Sequence, residues 1–185
     1  LDAAVIRLPH ISNFTDFMPL EQHELLGVRY VQRARELGRP DLVILPGTKN
    51  TMEDLLWLRQ NGLEAAALKL AHAGTPILGV CGGYQMLGQT LDDPQGTESG
   101  RPMALSGLGL LPTRTVFDAQ KRRMQVRATA QGELFGGARL TGYEIHNGRT
   151  EVGGAPFCVL EDGTPEGCVN RNVFGTYLHG LFDSG

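Results

Sequence analysis

Cysteine is scarce in this chain and odd in number, with three among 185 residues. Three thiols cannot make a disulfide framework, so the chain reads as the product of a reducing, cytoplasmic compartment. Long hydrophobic runs are also missing. No run approaches the roughly 20 apolar residues that a membrane helix needs, so no membrane partner is expected. An excess of positive charge is lacking too: 17 Lys and Arg stand against 20 Asp and Glu, for a net charge of −3. The one basic cluster, Lys121-Arg122-Arg123, is no nucleic-acid footprint. The start, Leu1-Asp2-Ala3-Ala4, has neither an initiator Met nor a signal-peptide profile. This predicts one soluble domain over residues 1–185, cut from a longer protein.

Several chemistries are excluded by missing spacings. The residues before Lys49, Lys69 and Lys121 are Thr48, Leu68 and Gln120, so there is no Gly-Lys phosphate loop. Gly107-Leu108-Gly109 is too short an echo of a dinucleotide fingerprint. His23-Glu24 lacks the second helical histidine of a zinc protease, and no Cys-x-x-Cys is present, so no metal is expected. Cys158 and Cys168 flank an Asp-Gly-Thr-Pro turn and read as structural residues across a hairpin.

What is present is glycine, 25 residues of it, and short apolar runs. Ala3–Leu8, Gly27–Val31, Asp41–Leu45 and Ile77–Val80 read as strands. A helix is expected from Thr51, with Thr51 as N-cap and Asp54 closing a capping box. The next is expected from Gly82 to Thr90. Apolar strands alternating with helices imply a parallel sheet covered on both faces. The right-handed crossover makes it doubly wound, of flavodoxin-like α/β class, with its site at the carboxyl ends of the strands. Residues 92–101 read as a surface loop. From Gly107 onward short strands (Gly109–Leu111, Met124–Ala130, Tyr143–Ile145, Phe157–Leu160, Val173–Leu178) predict antiparallel additions to the same domain.

The strongest local signal is Gly79-Val80-Cys81-Gly82-Gly83, between a strand and its helix. A nucleophile at a sharp strand-to-helix bend needs small neighbours on both sides. A helix N-terminus favours the thiolate, the reactive form. The N–H of Gly82 is then free to hold an oxyanion. A thiol nucleophile needs a base, and two of the five histidines end strand patterns beside polar groups or glycine: His146 and His179. His23 and His72 lie in polar helical stretches.

Gly79–Gly88 resembles the nucleophile motif of class I, triad-type glutamine amidotransferases. Leu45–Thr51, Arg7–Asp16 and Gly142–Thr150 narrow the resemblance to the glutaminase domains of cobyric acid synthases, over Val5 to Asp183. The resemblance implies that Cys81 attacks glutamine and forms a thioester, with His179 as general base. It implies an oxyanion hole from Gly82 and Gly47, a substrate grip from Gln85, and pocket-lining roles for His146 and Arg149. It implies no cofactor for this chain. ATP and magnesium would serve a separate N-terminal synthetase domain, which binds the corrinoid acceptor, and helical residues would follow the present C-terminus.

One position departs from the broad pattern. Triad enzymes carry His-x-Glu, and here Leu181 stands two after His179; cobyric acid synthases resemble this sequence in lacking that Glu. Glu144 and Asp183 are the candidate orienting acids, or the site is a Cys–His dyad. Three competing readings stay open. One is the glutaminase of cobyrinic acid a,c-diamide synthase or of the lipid-linked muropeptide amidotransferase. The second is a cysteine hydrolase, against which Gly82 stands where such enzymes carry His. The third is a non-catalytic module.

Overall fold

The computed structural model describes residues 1–132 and 135–183. Its strands are β1 (Asp2–Ile6), β2 (Gly27–Val31), β3 (Leu42–Leu45), β4 (Ile77–Val80), β5 (Thr90–Asp93), β6 (Met103–Ser106) and β7 (Thr113–Ala130). Then come β8 (Arg139–Val152), β9 (Cys158–Leu160), β10 (Pro165–Glu166), β11 (Cys168–Asn170), β12 (Val173–Thr176) and β13 (Leu178–His179). The helices are α1 (Met18–Glu21), α2 (Ala34–Leu37), α3 (Thr51–Gln60), α4 (Leu63–His72) and α5 (Gly82–Leu87). A single 3-10 turn, Phe14–Phe17, precedes α1.

The first sheet has the order β11-β12-β4-β3-β1-β2. All its pairs are parallel except β11 with β12. Its strands are apolar on both faces because both faces are covered. Ala4 and Ile6 of β1 pack into one core with Leu55, Leu58 and Leu63 of the helices, while Val5 enters a second. That second core is filled from β7 and β9, by Val126, Ala128, Cys158 and Leu160. The sheet is thus covered on both faces as expected, but strands do much of the covering on one side.

The second half differs from the expectation of small additions. It forms its own sheet, β10-β9-β7-β5-β6, with β8 joined to β7 and β13. The isolated segments Met124–Ala130 and Tyr143–Ile145 are pieces of an 18-residue and a 14-residue strand. Polar residues along β7 and β8 hide this length, because the middle of the long hairpin is exposed on both faces (Lys121 to Gln125 are all exposed). Gly109–Leu111 is not a strand. The helix expected to reach Thr90 ends at Leu87, and Thr90 begins β5. The expected loop 92–101 begins inside β5, and Asp93 is fully buried. Cys158 and Cys168 are buried free thiols.

The N-cap of α3 is also corrected. It is Asn50, whose side chain accepts the Glu53 N–H at 3.2 Å. Thr51 is the first helical residue and sends its hydroxyl to Gln85 Oε1 instead, at 3.2 Å.

Three glycines let α5 lie against β3 and β4. A Cβ on Gly83 would stand 2.0 Å from the Leu45 carbonyl oxygen, and one on Gly82 would stand 2.6 Å from Thr48 Cγ2. On Gly79 it would meet Leu87 Cδ1 at 2.6 Å. The Gly83 clash is with backbone and cannot be relieved by a rotamer change. Gly83→Ala should therefore lower stability by at least the ~1–3 kcal/mol of an overpacked core. A urea melt checks this, and an unchanged midpoint would refute the packing account.

Candidate active site

Cys81 follows β4 and caps α5 with φ 52° and ψ −110°. A non-glycine residue held there costs of the order of 1–3 kcal/mol and persists only when its surroundings enforce it. They do so here. Its N–H donates to Thr176 C=O on the neighbouring strand at 2.8 Å, and its C=O accepts from Gln85 N–H at 3.0 Å. The strain turns the side chain out of the sheet, toward a cleft of about 490 Å³. Gly82 is the first residue of α5, where an N–H has no intrahelical acceptor. The Cys81 thiol donates to the Ile145 carbonyl at 3.3 Å.

His179 arrives on the strand pathway next door. β12 runs parallel to β4, with Thr176 beside Val80, and the chain then crosses to pair with β8, placing His179 opposite Tyr143. Cys81 and His179 thus leave adjacent parallel strands at their carboxyl ends, where open α/β sheets place sites. Both line the cleft, together with Gln85, His146 and Glu98. Gly47 lies between them: a Cβ there would meet His179 Cε1 at 3.2 Å and Cys81 Cβ at 3.7 Å. A Cβ would touch Cys81 at ordinary contact distance but would require His179 and the Ser12 hydroxyl to give by a few tenths of an ångström.

The carboxylate on His179 is neither of the two candidates taken from sequence. It is Asp16, from the 3-10 turn after β1. Its Oδ2 lies 2.7 Å from His179 Nδ1, and its Oδ1 accepts the Gly180 N–H at 3.0 Å. Glu144 is engaged elsewhere, 2.8 Å from His146 Nε2. Asp183 is exposed, and its backbone N–H donates to Gly180 C=O. Asn13, in the left-handed region at φ 57°, places Nδ2 3.0 Å from His179 Nδ1 and 3.3 Å from Nε2. Burial alone would push the imidazole pKa down. The hydrogen bond to Asp16, the adjacent Cys81 and the Asp16 charge outweigh it and raise the pKa to about 10.

The loop carrying Asn13 and Asp16 is tied to the loop carrying Gly47. Ser12 N–H donates to Gly47 C=O at 2.9 Å, and Lys49 N–H to His10 C=O at 3.0 Å. Buried Asp54 accepts from His10 N–H at 3.1 Å, pairs with His10 Nδ1 at 2.7 Å and accepts from the Thr48 hydroxyl. Its work is to join two loops rather than to close a capping box.

Gln85 is buried at the cleft floor. Its Nε2 donates to Asn147 C=O and to the Tyr177 hydroxyl, each at 3.1 Å. His146 lines the cleft and stacks on Tyr177, ring centroids 3.6 Å apart. Arg149 does not reach the cleft over Cys81. It is exposed, pairs with Asp118 at 3.2 Å and lines a neighbouring cavity. His23 and His72 are both exposed; His72 ends α4 as its helical setting suggests, whereas His23 lies past the end of α1 and is not helical.

Glu98 had no signal in sequence, since it sits in the Gly-rich segment read as a surface loop. Asp93 builds its position, accepting from the N–H groups of Thr97, Glu98 and Ser99 at 2.8, 3.0 and 2.9 Å. Glu98 Oε1 in turn accepts the Thr51 N–H at 2.7 Å. Burial pushes the Glu98 carboxyl pKa up, against its bonds from Thr51. No group of three or more potential metal ligands occurs among the described residues.

The Asp16 contact generates a direct test. A carboxylate stabilises the imidazolium, so Asp16→Asn should lower the His179 pKa from about 10. The expected drop is roughly one to three pH units. Titration of the His179 ring signals by NMR measures it, and an unmoved midpoint would remove Asp16 from the account.

Residues 2–185 match the model of the CobB/CobQ-like glutamine amidotransferase domain. The chain is 48% identical over 198 residues to a cobyric acid synthase of Ruminiclostridium cellulolyticum, covering all of this chain and 38% of that protein. It is 50% identical over 194 residues to one of Desulforudis audaxviator, with the same coverage. The chain therefore spans little more than a third of the length of these curated relatives. Among solved structures, PurLQS from Thermotoga maritima superposes with a TM-score of 0.71 at 19% identity, over 96% of this chain and 86% of that one. A second, titled as a glutamine amidotransferase, gives 0.70 at 16% identity, over 99% and 92%. At such identities these two establish the fold alone, a mixed α/β fold of the class I amidotransferase type. The sequence match settles the family: the chain belongs to the CobB/CobQ-like glutamine amidotransferases.

Proposed function

We propose that this chain hydrolyses L-glutamine through a thioester on Cys81. We further propose that the ammonia amidates side-chain carboxylates of adenosylcobyrinic acid a,c-diamide in an ATP- and magnesium-dependent synthetase domain of the same protein. The observation that carries the reading is Cys81 held at φ 52° beside an imidazole bonded to Asp16. The relatives named cobyric acid synthase, and their greater length, support the acceptor and the separate synthetase.

In this mechanism the proton shared by the Cys81–His179 pair rests on the imidazole, and Sγ attacks the side-chain amide carbon of glutamine. The Gly82 and Gly47 N–H groups hold the oxyanion. Collapse breaks the C–N bond, and His179 returns the proton to the departing nitrogen. Water, deprotonated by His179, then attacks the thioester and frees glutamate. A protonated imidazole is needed in the middle step, and Asp16 stabilises that form while fixing the ring. The missing Glu after His179 is thus replaced from the other end of the chain.

The cleft lining suits an α-amino acid. Glu98 is the carboxylate among its residues, and Lys49, Lys121 and Arg123 are its lysine and arginine cations. The α-ammonium of glutamine goes to Glu98 and the α-carboxylate to the basic side. Gln85 is anchored on Thr51, Asn147 and Tyr177 and holds the cleft floor under the substrate.

Three measurements test this. In the full-length protein Cys81→Ala should abolish glutamate release from glutamine yet leave amidation from ammonium salts. A glutamine-mimicking diazo-ketone should add once, on Cys81, and glutamine should block it; labelling of Cys158 or Cys168 instead would sink the assignment. Glu98→Gln removes a charged hydrogen bond worth ~1.5–3 kcal/mol, so KM for glutamine should rise roughly tenfold or more while kcat changes less. An unchanged KM would take Glu98 out of substrate recognition.

A further inference from the structure

Glu166 is a buried acid with no part in the mechanism above. It stands outside the cleft over Cys81 and is 7% exposed. Burial pushes its carboxyl pKa up, against hydrogen bonds from Tyr177, Thr176 and Cys158. A buried acid is costly to the fold, so its presence there calls for an account.

A junction between the two sheets sets its position. Glu166 ends β10 in the second sheet, and two residues later Cys168 begins β11 in the first. Gly167 makes the turn at φ 72°, and a Cβ there would stand 2.3 Å from the Gly175 carbonyl oxygen. The backbone of the junction therefore lies directly against β12, and the Glu166 side chain reaches the end of that strand.

There it binds one peptide unit and its neighbour. Glu166 Oε1 accepts the Tyr177 N–H at 2.6 Å. The carbonyl of the same peptide, that of Thr176, accepts the Cys81 N–H at 2.8 Å. In a trans peptide the C=O and N–H point in opposite directions, so this unit is held by Glu166 on one side and by the nucleophile on the other. Glu166 Oε2 accepts the Thr176 hydroxyl at 2.7 Å, and that hydroxyl accepts the Leu178 N–H at 3.1 Å. Leu178 begins β13, whose next residue is His179. Thr176 to Leu178 is where the chain leaves β4 and joins β8.

We propose that Glu166 is a positioning residue for both reacting groups: its grip on the Thr176–Tyr177 peptide and the Thr176 hydroxyl holds Cys81 at its elbow and sets the strand that delivers His179. The proposal rests on the glutaminase reading above. Cys81 at φ 52° needs its N–H anchored, because the left-handed region is unfavourable for a residue with a Cβ. A peptide bonded at both ends is a rigid anchor, whereas one bonded at a single end can tilt. Thr176, Tyr177 and Leu178 are all buried, so water does not replace a lost acceptor.

The test uses the full-length protein with ATP and its corrinoid acceptor. Cys81 is labelled to completion with the diazo-ketone, and glutamate release is expressed per labelled site. This separates a misaligned site from a smaller folded fraction. Glu166→Ala should lower kcat per site about tenfold or more, because small misplacements of reacting groups are costly. KM for glutamine should move less than about threefold, since Glu98 and Gln85 keep their own bonds. Glu166→Gln keeps an oxygen for the Tyr177 N–H and should restore most of kcat. Cys158→Ala removes the third contact of Glu166, a 3.3 Å thiol bond, and leaves the peptide grip alone. Whatever its effect on melting temperature, it should leave kcat per site unchanged. Wild-type kcat per site in Glu166→Ala would overturn the proposal, as would a loss that Gln does not rescue or that Cys158→Ala matches. If Glu166→Ala does not fold, Thr176→Val decides in its place. It removes the hydroxyl between Glu166 and Leu178 and should lower kcat per site; wild-type turnover in it overturns the proposal. Absence of glutamate release by the wild type would be a failure of the glutaminase reading, and the proposal would fall with it.

Discussion

The close approach of α5 to β3 and β4 is the constraint on which this structure depends. Gly79 and Gly83 bring helix and strand backbones to a distance that no side chain tolerates, and Gly82 makes room for the Thr48 and Thr51 side chains. That approach holds Cys81 in a conformation it would not adopt alone, at a cost of order 1–3 kcal/mol. The bonds of Cys81 to Thr176 and Gln85 anchor it from both sides. Exposure of the thiol, a free N–H on Gly82 and the position of Gln85 one helical turn later all follow from this single packing. A larger residue at any of the three glycines alters the chemistry through the backbone.

A second layer of organisation comes from loops bound to loops. Asp54 joins the segment after β1 to the segment after β3, and with it the Asp16–His179 contact to the Gly47 position. Asp93 does the same for Glu98. Both carboxylates are fully buried and heavily hydrogen-bonded. Buried charge is tolerated only when so satisfied. The site is therefore positioned by acids that never face the cleft.

Much of the fold was legible because its signals are local. Four apolar runs of strand length, separated by helical patterns, already imply a parallel sheet. The second half was less legible. The alternation along β7 and β8 is broken by an exposed, charged stretch around Lys121, and inward positions on β8 are taken by Gly142, Glu144, His146 and Gly148. Hydrophobicity gives no sign of a 14-residue strand when its inner face is built for a site and not for a core. The α3 cap shows the same limit: Asn50 and Thr51 are both good caps, and only the presence of Gln85 and Glu98 decides between them.

For the site, the sequence by itself determined the elbow. Glycine spacing about Cys81 is a local steric requirement and is written in consecutive residues. It also carried the family, through motifs whose order spans the chain. Which acid reaches His179 was decided only by the tertiary structure. Asp16 and His179 are 163 residues apart and meet because β1 and β12 end on the same edge of one sheet. The same holds for Glu144, which lies nearer in sequence yet turns to His146, and for Arg149, which faces away to Asp118. Strand order and side-chain direction are global properties of the packed chain, and no local pattern encodes them.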